Sequence, residues 1–587
     1  MNYSTLTELY EQITSTSKRL LKTKYLSDFI KKSPIEDLDI LIRMVRGKVF
    51  ADYEEEKLGI SSKIILKVIS LSTGMTAKEV EDEWKKTGDL GIVAENLVKT
   101  KKQVTLFSND LTVNKVYDNI RRLPNIDGHG SVDTKIKIIS ELLTSAKPAE
   151  AKYIVRTVLE EMRVGIGDGL VRDAFLWTWF GNELNINFNE EKNVIDFTDE
   201  ERLAYNKYSD NIQRAFDITN DFSKVGQLCV KGIEAVENVN LEIGNPIKVM
   251  LCPKVADVNE AFEKLGSPIQ VEYKYDGFRV QIHKSKKGVV IFTRSLENVT
   301  IQFPEVKEYV EKNISGYEFI IDCEAVGFDE KTQKYMPFQH ISQRIKRKHG
   351  IEELSKKLPV ELNVFDLLYY EGESLIKKPL NKRVEKLESI ITPIPKKIVL
   401  ARKLITNDAN EAQKFYNQAL DDGEEGVIIK KVDSEYKPGK RVGGWVKLKP
   451  VMEALDVVIT GAEWGEGKRS EWMTSFAIAI VDEFGEFLEI GKVGTGIKEL
   501  EGQSDDVVTF DKLTELLKPL IIEENGKEVM VRPHIVIEVN YEEIQKSTTY
   551  SSGYALRFPR LIRLREDRNA DGASTAEMVE EFYYGQK

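Results

Sequence analysis

The period of the hydrophobic residues changes once along this chain, so a single uniform architecture cannot hold all of it. Up to about residue 240, apolar residues recur at helical spacing. Ile64, Ile65, Val68 and Ile69 in SKIILKVISL and Ile138, Ile139, Leu142 and Leu143 in TKIKIISELLTSAK are examples. Pro148 stands at a first helical position and opens AEAKYIVRTVLEEM. Strand signals are scarce, and the stretch reads as an all-α domain. GNPIKVMLCPKV (244–255), with its glycine and two prolines, reads as an extended connector.

Beyond the connector the period shortens to that of strands. KGVVIFTR, YEFIIDCEAVGFD, PVELNVFDLLYY and EGVIIKK are short β runs, separated by helical stretches such as NKRVEKLESII. They predict an α+β domain to about residue 450. From ALDVVITGAEWG onward, alternating strands with glycine turns predict a small β-barrel of the oligonucleotide-binding (OB-fold) type, with STAEMVEEFYYGQK as a tail helix. WGEGKRS within it lacks the spacing of a phosphate loop and reads as a hairpin turn. A chain of 587 residues exceeds one core, and the expected division is 1–240, 241–449 and 450–587.

Composition narrows the class without naming it. The 41% hydrophobic and 31% charged fractions describe a soluble globular protein. No apolar run approaches the roughly 20 residues of a membrane span, and MNYSTLTELYEQITSTSKRLL has no signal-peptide core, so the expected location is cytoplasmic. Cys229, Cys252 and Cys323 are too dispersed for a zinc cluster or a disulfide framework. The net charge of −11 argues weakly against nucleic acid, but local basic surfaces decide that question.

Within the α+β part, VEYKYDGFRV (271–280) alternates Val271, Tyr273 and Tyr275 with Glu272, Lys274 and Asp276. Asp276-Gly277 gives a turn signal, and Phe278, Val280 and Ile282 resume the alternation, which predicts a hairpin gathering Glu272, Lys274, Arg279 and Gln281 on one face. Alone, Lys274 reads as a solvated strand lysine. An ordered series follows it, however: TRSLENVT, FIIDCEAVGFD with PFQ, LNVFDLLYYEGESL, EGVIIK, a Tyr436/Arg441/Trp445 cluster and VKLKP.

These segments, in this order, resemble the motifs of archaeal and eukaryotic-type ATP-dependent DNA ligases, within the covalent nucleotidyltransferases. EEMRVGIGDGLVRDA in the helical part is similar to the family's DNA-binding domain, and LRFPRLIRLREDR to its C-terminal motif. The resemblance implies an enzyme that forms a lysyl-AMP, moves AMP to the 5′-phosphate of a nick and seals the nick with the 3′-hydroxyl. ATP and Mg2+ or Mn2+ are its implied cofactors. Residue by residue, it implies Lys274 as nucleophile and Glu272 as reader of the adenine edge. Arg279 and Arg294 would contact the nucleotide, Glu324 the ribose or metal, and Phe365 would stack on adenine. Glu425 would be a second metal carboxylate, and Lys430, Arg441, Lys447 and Lys449 would surround the triphosphate. A free lysine, with pKa about 10.4, is rarely neutral near pH 7, so Arg279, Lys430, Lys447, Lys449 and metal are expected to depress it.

Two positions depart from the family pattern: Cys323 stands where glycine is frequent, and Arg568 where lysine is common. Arg163, Gly165, Gly167 and Gly169 of RVGIGDG are candidate phosphate-backbone contacts, though an interhelical turn has the same composition. Gln103, Leu106 and Phe107 in KKQVTLFSND are similar to a shortened sliding-clamp (PCNA) motif, though a loop with two core residues reads the same way. The expected partner is nicked duplex DNA and the expected state a monomer. NAD-dependent ligases carry a zinc module this chain lacks the cysteines for, and RNA-capping relatives usually lack the helical domain. A catalytically dead scaffold would have lost Lys274, Glu324 or Glu425, all of which are present.

Overall fold

The computed structural model describes the chain apart from residues 55, 101–109, 129, 346, 348, 441–443, 451, 500–507 and 586–587. Gln103, Leu106, Phe107 and Arg441 therefore lie outside the described residues. Two compact units emerge, Met1–Leu448 and Lys449–Lys587.

The first unit begins with helices. Its only strands before residue 240, among the described residues, are the two-residue pair Phe188–Asn189 and Val194–Ile195. Pro148 does begin a helix, Pro148–Val158, and the Lys147 N–H at its start donates to Glu150 Oε2 (2.8 Å). Ile65, Val68, Ile69, Ile139, Leu142 and Leu143 are at most 1% exposed and belong to one core cluster of this helical part.

After the connector, the chain builds two antiparallel-rich sheets. One places Lys403–Thr406, Ile269–Tyr273, Val427–Lys431 and Trp445–Leu448 side by side. The other runs Gly288–Thr293, Phe278–Ser285, Phe319–Gly327, Val360–Tyr370 and Glu373–Ser374, with Ile398–Leu400 added parallel to Val360–Tyr370. The expected hairpin at Asp276-Gly277 is thus not formed. Ile269–Tyr273 and Phe278–Ser285 belong to different sheets, and the turn carries the chain from one to the other. Gly277 is required there for clearance: a Cβ would lie 2.6 Å from Ala325 O and 2.9 Å from Glu324 Cγ.

Alternation along the strands sorts the faces. Phe278, Val280, Ile282, Ile321, Cys323 and Ala325 enter one apolar cluster. Arg279, Gln281, His283, Asp322 and Glu324 take the opposite face, and Cys323 at 0% exposure fills core where a glycine would leave a gap. A buried ion pair, Arg383 Nε to Asp366 Oδ1 at 2.8 Å and Nη2 to Oδ2 at 2.9 Å, ties the Leu380–Ile390 helix to the Val360–Tyr370 strand. Arg344, in the basic run QRIKRKHG, is not solvated but buried against Glu305 (2.6 Å).

The second unit holds a seven-stranded sheet in which Leu455–Trp464 pairs with Met473–Val481, Glu528–Val531 and Val536–Asn540. Bulges interrupt its register between Ile459 and Gly461 and between Glu463 and Trp464. WGEGKRS connects Leu455–Trp464 to Met473–Val481, as the turn reading expects. Lys449 pairs with Glu542 (3.1 Å) and Arg568 with Asp456 (3.1 Å) inside this unit. The tail carries the helix Ala576–Gly585. No described helix is long and apolar enough to cross a membrane.

Candidate active site

Lys274 follows the end of Ile269–Tyr273, where backbone pairing continues for one more step. Its N–H donates to Gly426 O (2.9 Å), and the Glu425 N–H donates to Lys274 O (3.0 Å). Gly426 holds φ at 137°, a value a side chain would strain. This reciprocal clasp sets the Lys274 ammonium against the Glu425 carboxylate, and the two form an ion pair. Both side chains stay partly open, at 23% and 28% exposure.

Burial favours the neutral amine of Lys274. Attraction to Glu425, Glu324 and Asp276 outweighs it, and the pKa stands above the ordinary lysine value. Among the described residues, the charges acting most on the amine are therefore acidic, where cations were expected. Arg279 and Lys430 are each matched by a buried carboxylate, and Lys449 pairs with Glu542. Burial pushes Glu324 up to about 8, with Glu425 and Asp276 adding to the shift and Lys274 and Arg279 opposing it. Glu424, 8% exposed, is likewise pushed up to about 8 by burial, while a hydrogen bond from the Asp276 backbone opposes the rise.

Beside this acidic centre stands an aromatic wall. Lys430, 1% exposed, pairs with Glu272 at 2.6 Å, and Gln270 Nε2 donates to the other Glu272 oxygen at 2.6 Å. The same ammonium lies 4.2 Å from the Trp445 ring centroid and 4.6 Å from that of Phe365. Arg279 lies 5.1 Å from Phe365 and 5.8 Å from Trp445. Its Nη2 donates to Asp322 Oδ2 (2.5 Å) and its Nη1 to Met250 O (3.0 Å), and Tyr436 OH donates to the same Asp322 oxygen (2.7 Å). Trp445, 2% exposed, packs edge-on to Phe365 and Tyr436. Lys447 stands opposite Ile428 in the neighbouring strand register, and its backbone pairs with Pro253 and Val255 of the connector. Arg294 is exposed just past Gly288–Thr293.

Among the described residues, no three histidine, cysteine or carboxylate groups form a metal cage. Glu324 and Glu425, both half-buried, are two carboxylates that act on Lys274. That set fits a hard divalent cation that completes its shell with phosphate and water oxygens.

In the helical part, Arg163 is exposed at φ 53° and pairs with Glu161 (2.7 Å), in the loop between Pro148–Val158 and Asp168–Trp179. A Cβ on Gly165 would stand 3.2 Å from Lys22 Nζ, and one on Gly169 would stand 3.2 Å from Arg19 Nη2. Gly167 is the N-cap of Asp168–Trp179. Sequence reasoning set Gln281 on the face of Lys274 without a role, and it missed Asp322, His283 and Glu424 as members of the centre. Asp322 and His283 were readable as a polar row opposite an apolar one, but their burial, and that of Gln281, was not.

Three family models match the chain: DNA ligase N terminus over residues 2–176, ATP dependent DNA ligase domain over 249–449, and ATP dependent DNA ligase C terminal region over 469–568. A DNA ligase of Nanoarchaeum equitans (strain Kin4-M) is 42% identical over 589 residues, covering 100% of this chain and 99% of that one. The chain belongs to the ATP-dependent DNA ligases. A DNA ligase of Thermococcus onnurineus (strain NA1) is 40% identical, covering 99% of this chain and 98% of that one. A solved structure named "Pmar-Lig_PreS3" agrees in fold at a TM-score of 0.54 and 16% identity, covering 95% of this chain and 99% of its own. Lys274, Glu324, Glu425, Lys430 and the aromatic wall all fall in the 249–449 match, and the Arg163 loop falls in the 2–176 match.

Proposed function

We propose that this chain seals nicks in duplex DNA by way of an AMP adduct on Lys274, serving DNA replication, repair and recombination. The observation that carries the reading is the backbone clasp that presents Lys274 to Glu425, beside Glu324 and the Phe365–Trp445 wall. The Lys274 amine attacks the α-phosphorus of ATP. An N–P bond forms, the bond from that phosphorus to its bridging oxygen breaks, and pyrophosphate departs. Glu425, already hydrogen-bonded to the ammonium, is the acceptor for its proton. AMP then passes to the 5′-phosphate of the nick, and the 3′-hydroxyl displaces it as the phosphodiester forms.

In this reading Phe365 stacks on the adenine and Glu272 faces its edge, with Lys430 holding the Glu272 carboxylate. Arg279, Arg294, Lys430, Arg441, Lys447 and Lys449 are assigned to the ribose and phosphates. Mg2+ or Mn2+, held by Glu324 and Glu425, would supply charge neutralisation at the phosphates and relieve the acidic field on Lys274. Residues 1–240, 241–449 and 450–587 act as three domains, the last an OB-fold. Arg163, Gly165, Gly167 and Gly169 are assigned to the DNA backbone, giving strongly salt-dependent binding by a monomer. Gln103, Leu106 and Phe107 are assigned to a sliding clamp, and unchanged clamp pull-down after deleting 103–107 would refute that assignment. Sealing of a labelled nicked duplex, with ATP and divalent metal, tests the whole. Sealing by wild type and none by Lys274→Ala is expected; equal sealing by both would overturn it.

A further inference from the structure

We propose that Gln281 and His283 are positioning residues for adenylylation. Acting through Asp322, they hold Arg279 against the Phe365–Trp445 wall and join that wall to the connector 244–255. This rests on the Lys274 reading.

The Phe278–Ser285 strand sends Phe278, Val280 and Ile282 into apolar core, whereas Gln281 (2% exposed) and His283 (0%) are polar and equally buried. Polar groups at such depth are costly unless every one is bonded, and here the bonds run in one fixed direction. The Gly244 N–H donates to His283 Nδ1 (3.0 Å), which leaves the proton on Nε2, facing Gln281 Oε1 at 3.0 Å. Gln281 Oε1 also accepts the Ile247 N–H (2.8 Å), and its Nε2 donates to Asp322 Oδ1 (3.2 Å). The remaining carboxylate oxygen, Oδ2, takes Arg279 Nη2 and Tyr436 OH.

Arg279 Nη2 and Tyr436 OH both bind Oδ2 of Asp322 and by themselves leave the carboxylate plane less constrained about its Cβ–Cγ bond. Gln281 occupies the other oxygen and fixes its plane, and with it the guanidinium. The Ile247 N–H and His283, itself held by the Gly244 N–H, in turn fix the amide of Gln281. The connector is anchored at its other side to the helical part, by Asn220 Nδ2 to Pro246 O (2.6 Å) and by Lys248 N–H to Asp217 O (3.0 Å). One continuous set of hydrogen bonds thus reaches from the helical part to Arg279 and the Phe365–Trp445 wall.

The test is the ATP dependence of adduct formation by full-length wild type, His283→Phe, Gln281→Met, their double variant and His283→Gln, each first shown by circular dichroism to be folded. KM for ATP is expected to rise about tenfold in His283→Phe and Gln281→Met, with kcat within about threefold of wild type. The double variant should match Gln281→Met alone, since both residues serve one chain of bonds. His283→Gln retains a donor toward Gln281 and should recover to within about threefold of the wild-type KM. Unchanged KM in the folded single variants would overturn the proposal, as would a loss confined to kcat that His283→Gln fails to restore. Gln281→Met decides alone if His283→Phe does not fold. Absence of any adduct on wild type would instead sink the Lys274 reading.

Discussion

Acidification from pH 7.5 to 5.5 is expected to cost the first unit about 1.4 kcal/mol through His283 alone. Burial pushes this imidazole from its ordinary 6.5 down to about 3, with Asp322 opposing the shift only in part. Between those two values the unfolded chain binds a proton that the folded chain refuses. The contribution is therefore fully present above 6.5 and is lost as the pH falls toward 3. One pH unit below 6.5 the difference is about RT ln 11, roughly 1.4 kcal/mol, and at pH 4.5 it reaches about 2.7 kcal/mol. Urea-dependent hydrogen exchange at the amides of the Phe278–Ser285 strand reads the opening of this unit. Comparing wild type with His283→Gln at both pH values cancels every other titrating group. Wild type should lose about 1.4 kcal/mol more than the variant. An identical pH dependence in the two proteins would refute the claim that a neutral, sealed imidazole is part of the fold.

Two further outcomes follow from the pocket. Lys430→Met strands Glu272 with Gln270 as its remaining partner and should destabilise the unit by about 3–5 kcal/mol in denaturant titrations. Replacing Glu272 and Lys430 together with methionine should restore most of that stability while adenylylation stays lost. Gly277→Ala forces a Cβ toward Ala325 O and Glu324 Cγ. The displaced Glu324 should slow adenylylation on the order of a hundredfold, measured as single-turnover adduct formation; a rate within twofold of wild type would contradict the clearance argument.

The sequence disclosed the strands well and their partners poorly. Alternation marked Ile269–Tyr273 and Phe278–Ser285 as strands, and the turn residues between them suggested a pair. Pairing, however, is decided by long-range packing, which placed the two in different sheets. Gly277 shows why the local signal misled: the residue serves a close approach to the Glu324 strand, a need that has the same spelling as a turn. Helical periodicity and Pro148 carried the helical part because those signals are local. At the site, residue types at Lys274, Glu324, Glu425 and Phe365 were legible from their ordered series. The sign of the field on Lys274 was not, because counting nearby cations ignores which carboxylate each already faces. Lys430 meets Glu272 and Arg279 meets Asp322, and only three-dimensional pairing reveals the acid surplus left around the amine.

The most direct measurement is peptide mapping by mass spectrometry after incubating the protein with ATP and a divalent metal. The account predicts one AMP, acid-labile and displaced by pyrophosphate, on the peptide containing Lys274, and none in Lys274→Ala. AMP on any other lysine, or none on wild type with ATP in excess, would contradict it.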